Sequence, residues 1–202
     1  MAFLPRKPAI AALLLVATAC AAHAQDRDRL PITVEARSTD FDYKNSVLVF
    51  NDVSIVQGAV RITAERAQAS GLDFEDSGWE FSGTVHIKLV DGELASDSAR
   101  VRFSKGEIQS ATVTGTPATF EQRHEADLAQ GHANRIDYDL GRGTVELAGD
   151  AWLSDGRNEI TGPTLVYSTG TQRVISRQQV VITINPREPE PAPPALPPKK
   201  PE

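Results

Sequence analysis

The chain repeats one unit of 32 to 34 residues, and this repeat restricts the possible folds more than any other feature of the sequence. A small residue marks the same place in each copy, at Asn51, Gly83, Gly115 and Gly149, so the spacings are 32, 32 and 34 residues. The copy at Val145–Tyr167 is the clearest, and a shift of 98 positions places it on residues 47–69 without a gap. Self-similarity at such spacings is typical of stacked repeats. We therefore expect about four copies of one β-unit.

Apolar and polar residues alternate inside each copy, which is the period of a β-strand with one buried face. From Trp79 to Ile87, Phe81 and Val85 share the apolar parity, whereas Glu80 has the opposite parity. Turn signals rich in Gly, Asn and Asp separate these runs. Connections this short require antiparallel neighbours, because a parallel pair needs a crossover of about a dozen residues. The predicted strands are residues 32–36, 47–56, 60–69, 79–90, 94–103, 108–114, 135–139, 145–153, 158–167 and 174–184.

The sequence shows no helical pattern that could cover the apolar face of this sheet. The sheet must therefore fold upon itself as a sandwich, a closed barrel or an open curved roll. A small residue inside successive strands favours a bulge or bend at the same place in each, which would crease the sheet along one line. We predict an all-β protein in which one creased antiparallel sheet encloses an apolar trough.

The residues of the apolar parity are the candidate lining of this trough. They are Val49, Val53, Ile55, Ile62, Trp79, Phe81, Val85, Ile87, Leu94, Val101, Phe103, Val113, Phe120, Ile136, Tyr138, Leu147, Leu153, Ile160 and Leu165. Plain core packing is an equally good interpretation of each, because an open trough and a filled core have the same alternation. The two ends of the sheet would leave unpaired backbone groups, which favour pairing with another chain. These candidate assembly edges contain Ile32, Val34, Val180, Ile182 and Ile184.

Residues 1–24 have the composition of a secretory signal peptide. Arg6 and Lys7 precede an apolar run of eleven residues, and small residues precede Gln25. A membrane helix needs about 20 apolar residues, so we predict cleavage after Ala24 rather than a retained anchor. Cys20 would also suit a lipidated N-terminus. We favour that alternative less, because the residue three positions before it is Ala, where such sites usually have Leu.

Cleavage would leave 19 basic and 27 acidic residues, a net charge of −8. This charge, together with the lack of a basic stripe in the sequence, argues against a nucleic-acid partner. The Pro-rich segment of residues 186–202 is expected to be disordered or extended and to lie outside the fold. The sequence therefore predicts one folded domain from residue 25 to residue 185.

Few residues of this sequence are arranged for catalysis or for metal binding. His124 and His132, together with nearby acidic residues, do not have the spacing of a known metal site. Carboxylate pairs of the kind a glycosidase needs do occur, but each flanks a turn, where Asp is common for backbone reasons. The pairs are Asp40 with Asp42, Glu75 with Asp76, and Asp137 with Asp139. We predict no catalytic residue, no metal site and no cofactor, and we expect His86 and Trp152 on the polar face.

Five motifs within residues 30–185 occur in an order that resembles a known family. They are Ile32-Thr33-Val34-Glu35-Ala36-Arg37, Gly83-x-Val85, Val113-x-Gly115-x-Pro117-Ala118-x-Phe120, Ala133-x-x-Ile136-x-Tyr138 and Gly149-x-Ala151-x-Leu153. In this order they look like the LptA/OstA-like family of periplasmic lipopolysaccharide transport proteins. The resemblance implies an antiparallel β-jellyroll, open along one side, that holds the lipid A acyl chains of lipopolysaccharide in its interior. It also implies end-to-end self-association, and pairing of β-edges with the inner-membrane transporter complex and the outer-membrane lipopolysaccharide translocon.

We therefore expect a non-enzymatic periplasmic protein that carries lipopolysaccharide from the inner to the outer membrane. Two alternatives remain open at this point. A secreted β-solenoid enzyme acting on polysaccharide would need acidic and basic residues that converge on one wet face. An inner-membrane-anchored companion of the same transport system would keep residues 1–24 as an anchor. Asn51, which replaces Gly, and a long predicted loop at residues 121–130 depart from the repeat.

Overall fold

The alternating runs of the sequence form strands of a single antiparallel sheet. The computed structural model describes residues 30–42, 44–45, 47–71, 74–124 and 127–186. The strands are β1 Thr33–Asp42, β2 Val47–Gln57, β3 Val60–Ala69, β4 Asp76–Lys88, β5 Gly92–Ser104, β6 Glu107–His124, β7 Asp127–Asp139, β8 Thr144–Ser154, β9 Asn158–Ser168, β10 Arg173–Ile175 and β11 Val181–Ile184. Strands β1 to β10 pair in chain order, and β11 pairs with β9. The predicted all-β, antiparallel architecture is confirmed.

The predicted signal peptide, with its cleavage site and Cys20, lies outside the described residues, as does the predicted tail from residue 187 onward. The domain boundaries therefore stay predictions. Within the described ranges, no helix is long and apolar enough to cross a bilayer.

A line of bulges creases the sheet at the place that the repeated small residue predicts. The pairing register shifts between Thr63 and Arg66, Ser82 and Val85, Ala95 and Ser98, Thr114 and Ala118, His132 and Arg135, and Ala148 and Ala151. Gly83 and Gly149 both have a φ of 77°, and the residues after them, Thr84 and Asp150, have φ values of 44° and 51°. Glycine adopts this left-handed conformation without the steric cost that a Cβ brings. In β4 and β8 the crease is therefore built into this Gly-containing step.

The crease divides the sheet into two layers whose apolar faces cover each other. Layer 1 consists of residues 38–42, 47–51, 66–69, 76–82, 98–104, 107–114, 135–139, 144–148 and 164–168, with β10. Layer 2 consists of residues 33–36, 53–57, 60–64, 85–88, 92–96, 118–124, 127–133, 151–154 and 158–162, with β11. The ring of Phe120 in layer 2 lies 6.1 Å from that of Tyr138 and 6.0 Å from that of Tyr167, both in layer 1.

Strand β2 crosses the crease differently from β4 and β8, and this corrects one predicted position. In β2 only Asp52 has a positive φ, of 48°, so the buried parity changes between Phe50 and Val53. Val49 therefore faces outward, where it pairs with exposed Gln68. The prediction that Val49 lines the interior is wrong, because one bulged residue shifts the alternation that two bulged residues would preserve. Phe50 occupies the interior instead.

The hairpin of β6 and β7 is longer than the sequence predicted. The two strands stay paired as far as His124 and Asp127, so most of the loop predicted at residues 121–130 is strand. Glu121, Arg123 and Gln130 lie on its outer face, where Glu121 accepts hydrogen bonds from Arg123 at 3.1 Å and from Gln130 at 3.3 Å. Polar composition indicated a loop, but alternation with an outward-facing polar side also satisfies a strand.

The last predicted strand, residues 174–184, is divided into two. Strand β10 pairs with layer 1 of β9, and β11 pairs with its layer 2 part. Between them, the Ser176 hydroxyl donates to the carbonyl of Thr164 at 3.0 Å and accepts from the backbone N–H of Gln178 at 3.3 Å. This side-chain turn replaces strand pairing where the chain crosses the crease. The two short strands together complete the sheet.

Gly83→Ala should lower the free energy of unfolding by about 1–2 kcal/mol, because it places a Cβ in a left-handed conformation. That Cβ would lie 2.5 Å from Glu65 Oε2. Gly78→Ala in the same strand is the control, since nothing lies within 4 Å of its added Cβ and its φ is not left-handed. Urea unfolding of both variants measures the difference. Equal unfolding midpoints would contradict the steric role given to Gly83.

Candidate functional site

The interior between the two layers contains nearly all the candidate lining residues. Apart from Val49, each of them lies on the inner face, and Tyr138 and Ile160 are only half-buried there. Two further residues line the inner face: Phe50, which the sequence pattern does not indicate because β2 changes parity, and Tyr167, which shares the parity of Leu165. The inner face is thus assigned, but inner-face position alone does not separate lipid contact from core packing.

Aromatic side chains fill the interior along the first strands of layer 1. The Trp79 ring is stacked on Phe74 at 5.0 Å, on Phe50 at 5.5 Å and on Phe81 at 6.0 Å between ring centroids. Phe103 meets Phe74 edge-on at 4.9 Å. Each such aromatic pair contributes about 0.5–1.5 kcal/mol beyond the buried area. This end of the interior is therefore a packed core.

The strand ends of the two layers form the open margins, on the side opposite the crease. Near the aromatic core, a contact between these two margins closes that side. The side-chain amide of Gln57, at the end of β2, donates to the carbonyl of Gly106 at 2.9 Å and to that of Leu30 at 3.2 Å. Gln57 belongs to layer 2, and Gly106 lies in the turn that follows the layer 1 part of β5. The margins therefore touch at the first strands through a polar contact that is only partly buried.

A cavity of about 270 Å³ lies between the layers at the last strands. Its apolar lining is Leu128, Ala129, Leu153, Ile160, Tyr167 and Val174, and its polar lining is Gln122, Ser154, Asp155, Arg157, Asn158 and Gln172. The polar residues from 155 to 158 and Gln172 come from turns at the ends of strands, so they lie at the open margin. The cavity thus has an apolar wall that also contains the buried polar Gln122 and Ser154, and its polar rim contains one cation, Arg157.

The polar rim is held in shape by a turn. The Asp155 carboxylate accepts hydrogen bonds from the backbone N–H groups of Arg157 at 2.9 Å and Asn158 at 2.6 Å. Burial raises the pKa of Asp155, but these hydrogen bonds and the nearby Arg157 charge outweigh it and leave the pKa below its ordinary value. Asp155 therefore shapes the turn as a carboxylate, and the Arg157 side chain is exposed beside the cavity.

The two edges of the sheet differ in exposure. At the first edge, Ile32 and Val34 are half-buried and pack against the core. Val180, which directly precedes β11 at the other edge, is also half-buried. In contrast, Ile182 and Ile184 of β11 are 57% and 72% exposed. Within the described residues β11 pairs on one side only, with β9. Its other side presents unpaired backbone groups together with apolar side chains.

Comparison with protein families gives a match to the model described as LptA/(LptD N-terminal domain) LPS transport protein, over residues 66–173. The chain belongs to this family. The relatives of this LptA-family protein include the lipopolysaccharide export system protein LptA of Haemophilus influenzae, 26% identical over 165 residues, which are 81% of this chain and 79% of the relative. LptA of Escherichia coli K12 is 25% identical over 146 residues, 71% of this chain and 63%, less than two thirds, of its own length.

A solved structure has the same fold as the LptA-family chain. It is the crystal structure of LptH, the LptA homologous periplasmic component of the lipopolysaccharide transport device from Pseudomonas aeruginosa. The TM-score is 0.50 with 20% sequence identity, and the match covers 78% of this chain and 96% of LptH. At this identity the likeness concerns the fold, and it agrees with the open antiparallel jellyroll that the resemblance implied.

The three carboxylate pairs of this LptA-family chain lie on β1, at the start of β4 and on β7. Neighbouring strands are about 4.8 Å apart, so strands three positions apart in the sheet are separated by about 14 Å. The pairs therefore do not converge on one site. Asp42 instead accepts hydrogen bonds from the backbone N–H groups of Lys44 and Asn45, at 2.9 and 3.1 Å, and closes the turn after β1.

The histidines are also separated. His132 stacks on Trp152 at 5.1 Å on the outer face, and the His86 side chain is 51% exposed. Within the described part of the chain, no three His, Cys, Asp or Glu residues are grouped as a metal site. The side chains of His124 and Asp127, and residue Glu125, lie outside the description.

Asp137 has one structural partner on its own strand, Arg135, and one on the neighbouring strand β6, Thr112. Its carboxylate accepts hydrogen bonds from Arg135 Nε at 2.7 Å and from the Thr112 hydroxyl at 2.6 Å. Burial raises the pKa of Asp137, but these hydrogen bonds and the Arg135 charge outweigh it, so the pKa lies below its ordinary value. A carboxylate held in this way cross-links β6 and β7 rather than serving as a free acid or base.

Asp137→Asn should destabilise the protein at neutral pH. Because the folded pKa is lowered, the stabilisation by this carboxylate is present above the unfolded pKa and is lost as pH falls through the folded pKa. The difference in unfolding free energy between wild type and variant should therefore disappear as the pH falls below about 4, the ordinary pKa of an Asp carboxyl. Urea unfolding over a pH series measures it, with exposed Asp40→Asn as the control. A difference that persists at low pH would contradict this role of the Asp137 charge.

Proposed function

We propose that this protein is a periplasmic lipopolysaccharide-binding bridge protein that takes part in lipopolysaccharide transport from the inner to the outer membrane. The family match over residues 66–173 and the names of the relatives support the process. The observation that supports the mechanism is the pair of apolar layers with a cavity at their open margin. Such an interior shelters acyl chains and leaves the hydrophilic part of the lipid outside.

Burial of acyl chains supplies the binding energy in this mechanism. Each CH₂ group removed from water contributes about 0.8 kcal/mol, so a long apolar surface binds chains without precise polar contacts. Sites for drug-sized ligands occupy about 300–1,000 Å³, and the cavity of about 270 Å³ is smaller. A lipid with several chains therefore needs the margins to separate. We propose that separation starts at the last strands, because the packed aromatic core and the Gln57 contact hold the first strands together.

The first residues to contact lipid are, in this proposal, Leu153 and Ile160, which line the cavity. The interior residues beside the aromatic core contact lipid only after the margins separate. The protein acts without catalysis, and the signal peptide is removed after Ala24 rather than retained as an anchor or replaced by a lipid at Cys20. Mass determination of the mature N-terminus distinguishes these three forms and thereby tests the anchored-companion alternative.

A photocrosslinking amino acid at position 160 should label lipopolysaccharide in the periplasm, whereas the same amino acid at position 161 should not. Ile160 lies inside the cavity, but its neighbour Thr161 is exposed on the outer face. The two positions are neighbours on the same strand, so the two variants should be expressed equally and should be equally accessible to light and reagents. Immunoblotting for lipopolysaccharide adducts gives the result. Equal labelling at both sites, or labelling at position 161 only, would contradict binding between the layers.

Assembly is proposed to use the exposed edge of β11 and the outer edge of β1, so that sheets of successive molecules join end to end. The unpaired backbone groups of β11 and its exposed Ile182 and Ile184 support this arrangement. The same edges would pair with the inner-membrane transporter complex at one end and with the outer-membrane translocon at the other.

Ile182→Pro should reduce concentration-dependent oligomers, because Pro removes a backbone donor and disrupts the edge. Arg177→Pro is the control, since Arg177 lies in the exposed segment between β10 and β11, outside the strands. Light scattering over a concentration series compares them. If both variants associate as the wild type does, assembly through β11 is wrong.

A further inference from the structure

Three buried side-chain atoms have no hydrogen-bond partner among the described residues: Ser77 Oγ, Trp79 Nε1 and Gln122 Oε1. Of these three residues, Gln122 alone lines the cavity of about 270 Å³. Gln122 is on the inner face of β6, in the parity of Ala118 and Phe120, and only 9% of its surface is exposed. Among the described residues its Oε1 is buried and has no hydrogen-bond partner. Gln122 lies within the loop that the sequence predicts at residues 121–130, so its inward position follows only from the extended β6–β7 hairpin.

An unpaired buried acceptor reduces the stability of the protein alone. The cost of such a group is about 1–3 kcal/mol, and more than nine in ten buried polar groups in native proteins have a partner. An apolar side chain of similar length, such as Met, would fill the same space without this cost. A ligand that brings a hydrogen-bond donor into the interior explains why an amide occupies this position.

The surroundings of Gln122 specify the chemistry of that ligand. Gln122 lines the cavity together with the apolar Leu128, Leu153 and Ile160. The other buried polar residue of the lining, Ser154, already accepts a hydrogen bond from the backbone N–H of Gly156 at 3.0 Å. The site therefore offers an apolar wall and one free buried acceptor, so it fits an acyl chain that bears a single donor.

The position of Gln122 along its strand places the donor near the head of the chain. Gln122 is two residues before the end of β6 at His124, and the end of that strand lies at the open margin. Arg157, on the rim of the same cavity, supplies a positive charge for an anionic head group. The donor must therefore lie within a few bonds of the point where the acyl chain joins its head group.

We infer that Gln122 accepts a hydrogen bond from a hydroxyl or amide N–H close to the head of a bound acyl chain, and that it thereby selects hydroxylated or amide-linked chains over plain ones. This inference rests on the proposed function and adds a specificity-determining residue to it. The hydroxyl or N–H of the ligand supplies the hydrogen bond that Gln122 Oε1 lacks in the protein alone. Plain acyl chains bind in the same cavity but leave the amide unpaired.

Three probes with the same alkyl chain test this selection on the full mature protein. β-Hydroxymyristate has the hydroxyl, N-myristoylglycine has the amide N–H, and myristate has neither. Calorimetric titration of wild type should give a dissociation constant for one or both donor probes roughly 2- to 12-fold below that for myristate, the ratio expected for one net hydrogen bond. The probe that shows this preference identifies the donor as hydroxyl or amide.

Gln122→Met should abolish the preference, so that the three probes bind with equal affinity, and the thermal midpoint should be equal to that of wild type or higher. Gln130→Met on the outer face of β7 is the control, since Gln130 is exposed, and it should keep the preference. Wild type that binds all three probes equally, or Gln122→Met that retains the preference, would overturn the inference. A fall in the thermal midpoint with preference retained indicates a structural role and overturns it as well.

Binding of lipopolysaccharide to the same wild-type protein separates the two hypotheses. If lipopolysaccharide binds but the probes show no dependence on Gln122, the role of Gln122 is wrong and the proposed function stands. If wild type binds neither lipopolysaccharide nor any acyl probe, the proposed function is wrong, and the inference is overturned with it.

Discussion

The structure depends on the need of a lone sheet to cover its own apolar face. Because the described residues contain no helix, the apolar face of each layer must be covered by the other layer. The row of bulges allows a single meander to fold in this way. Left-handed conformations at Gly83 and Gly149 place the turn inside the strands rather than between them. The hydrogen-bonded ladder consequently continues through both layers. The interior is bounded by the crease on one side and by strand ends on the other, so it can open only at the strand ends.

Much of this fold could be predicted because the repeat, the alternation and the short turns all favour the same architecture. The errors occurred where one residue changed the geometry without changing the composition. At Asp52 a single bulge reversed the parity of β2 and moved Val49 outward. The polar outer face of the β6–β7 hairpin has the composition of a loop, and the hydroxyl of Ser176 bonds to Thr164 where the predicted last strand is divided. Such local backbone choices depend on neighbours across the sheet, which sequence patterns do not specify.

The candidate site was less predictable than the fold for a physical reason. A filled core and an apolar cavity require the same alternating side chains, so the pattern cannot tell Trp79, which is packed among aromatic rings, from Ile160, which lines a cavity. The difference arises from the neighbouring side chains, such as the rings of Phe50 and Phe74 that pack on Trp79. Gln122 did have a signal, since it continues the parity of Phe120, but that signal is visible only if the strand is known to extend through it.

The unequal filling of the interior has a consequence for how a chain of molecules could pass lipid along. The aromatic core holds the two layers together at the first strands, whereas the last strands enclose a cavity and end in two short strands, β10 and β11. In the proposed mechanism, opening therefore costs least at the end that also has the exposed edge. If successive molecules join there, the pairing edge and the separable margin are parts of the same element, and assembly would change the opening of the cavity beside it. Lipid binding and association would then be thermodynamically linked, so each would alter the affinity of the other by the same factor.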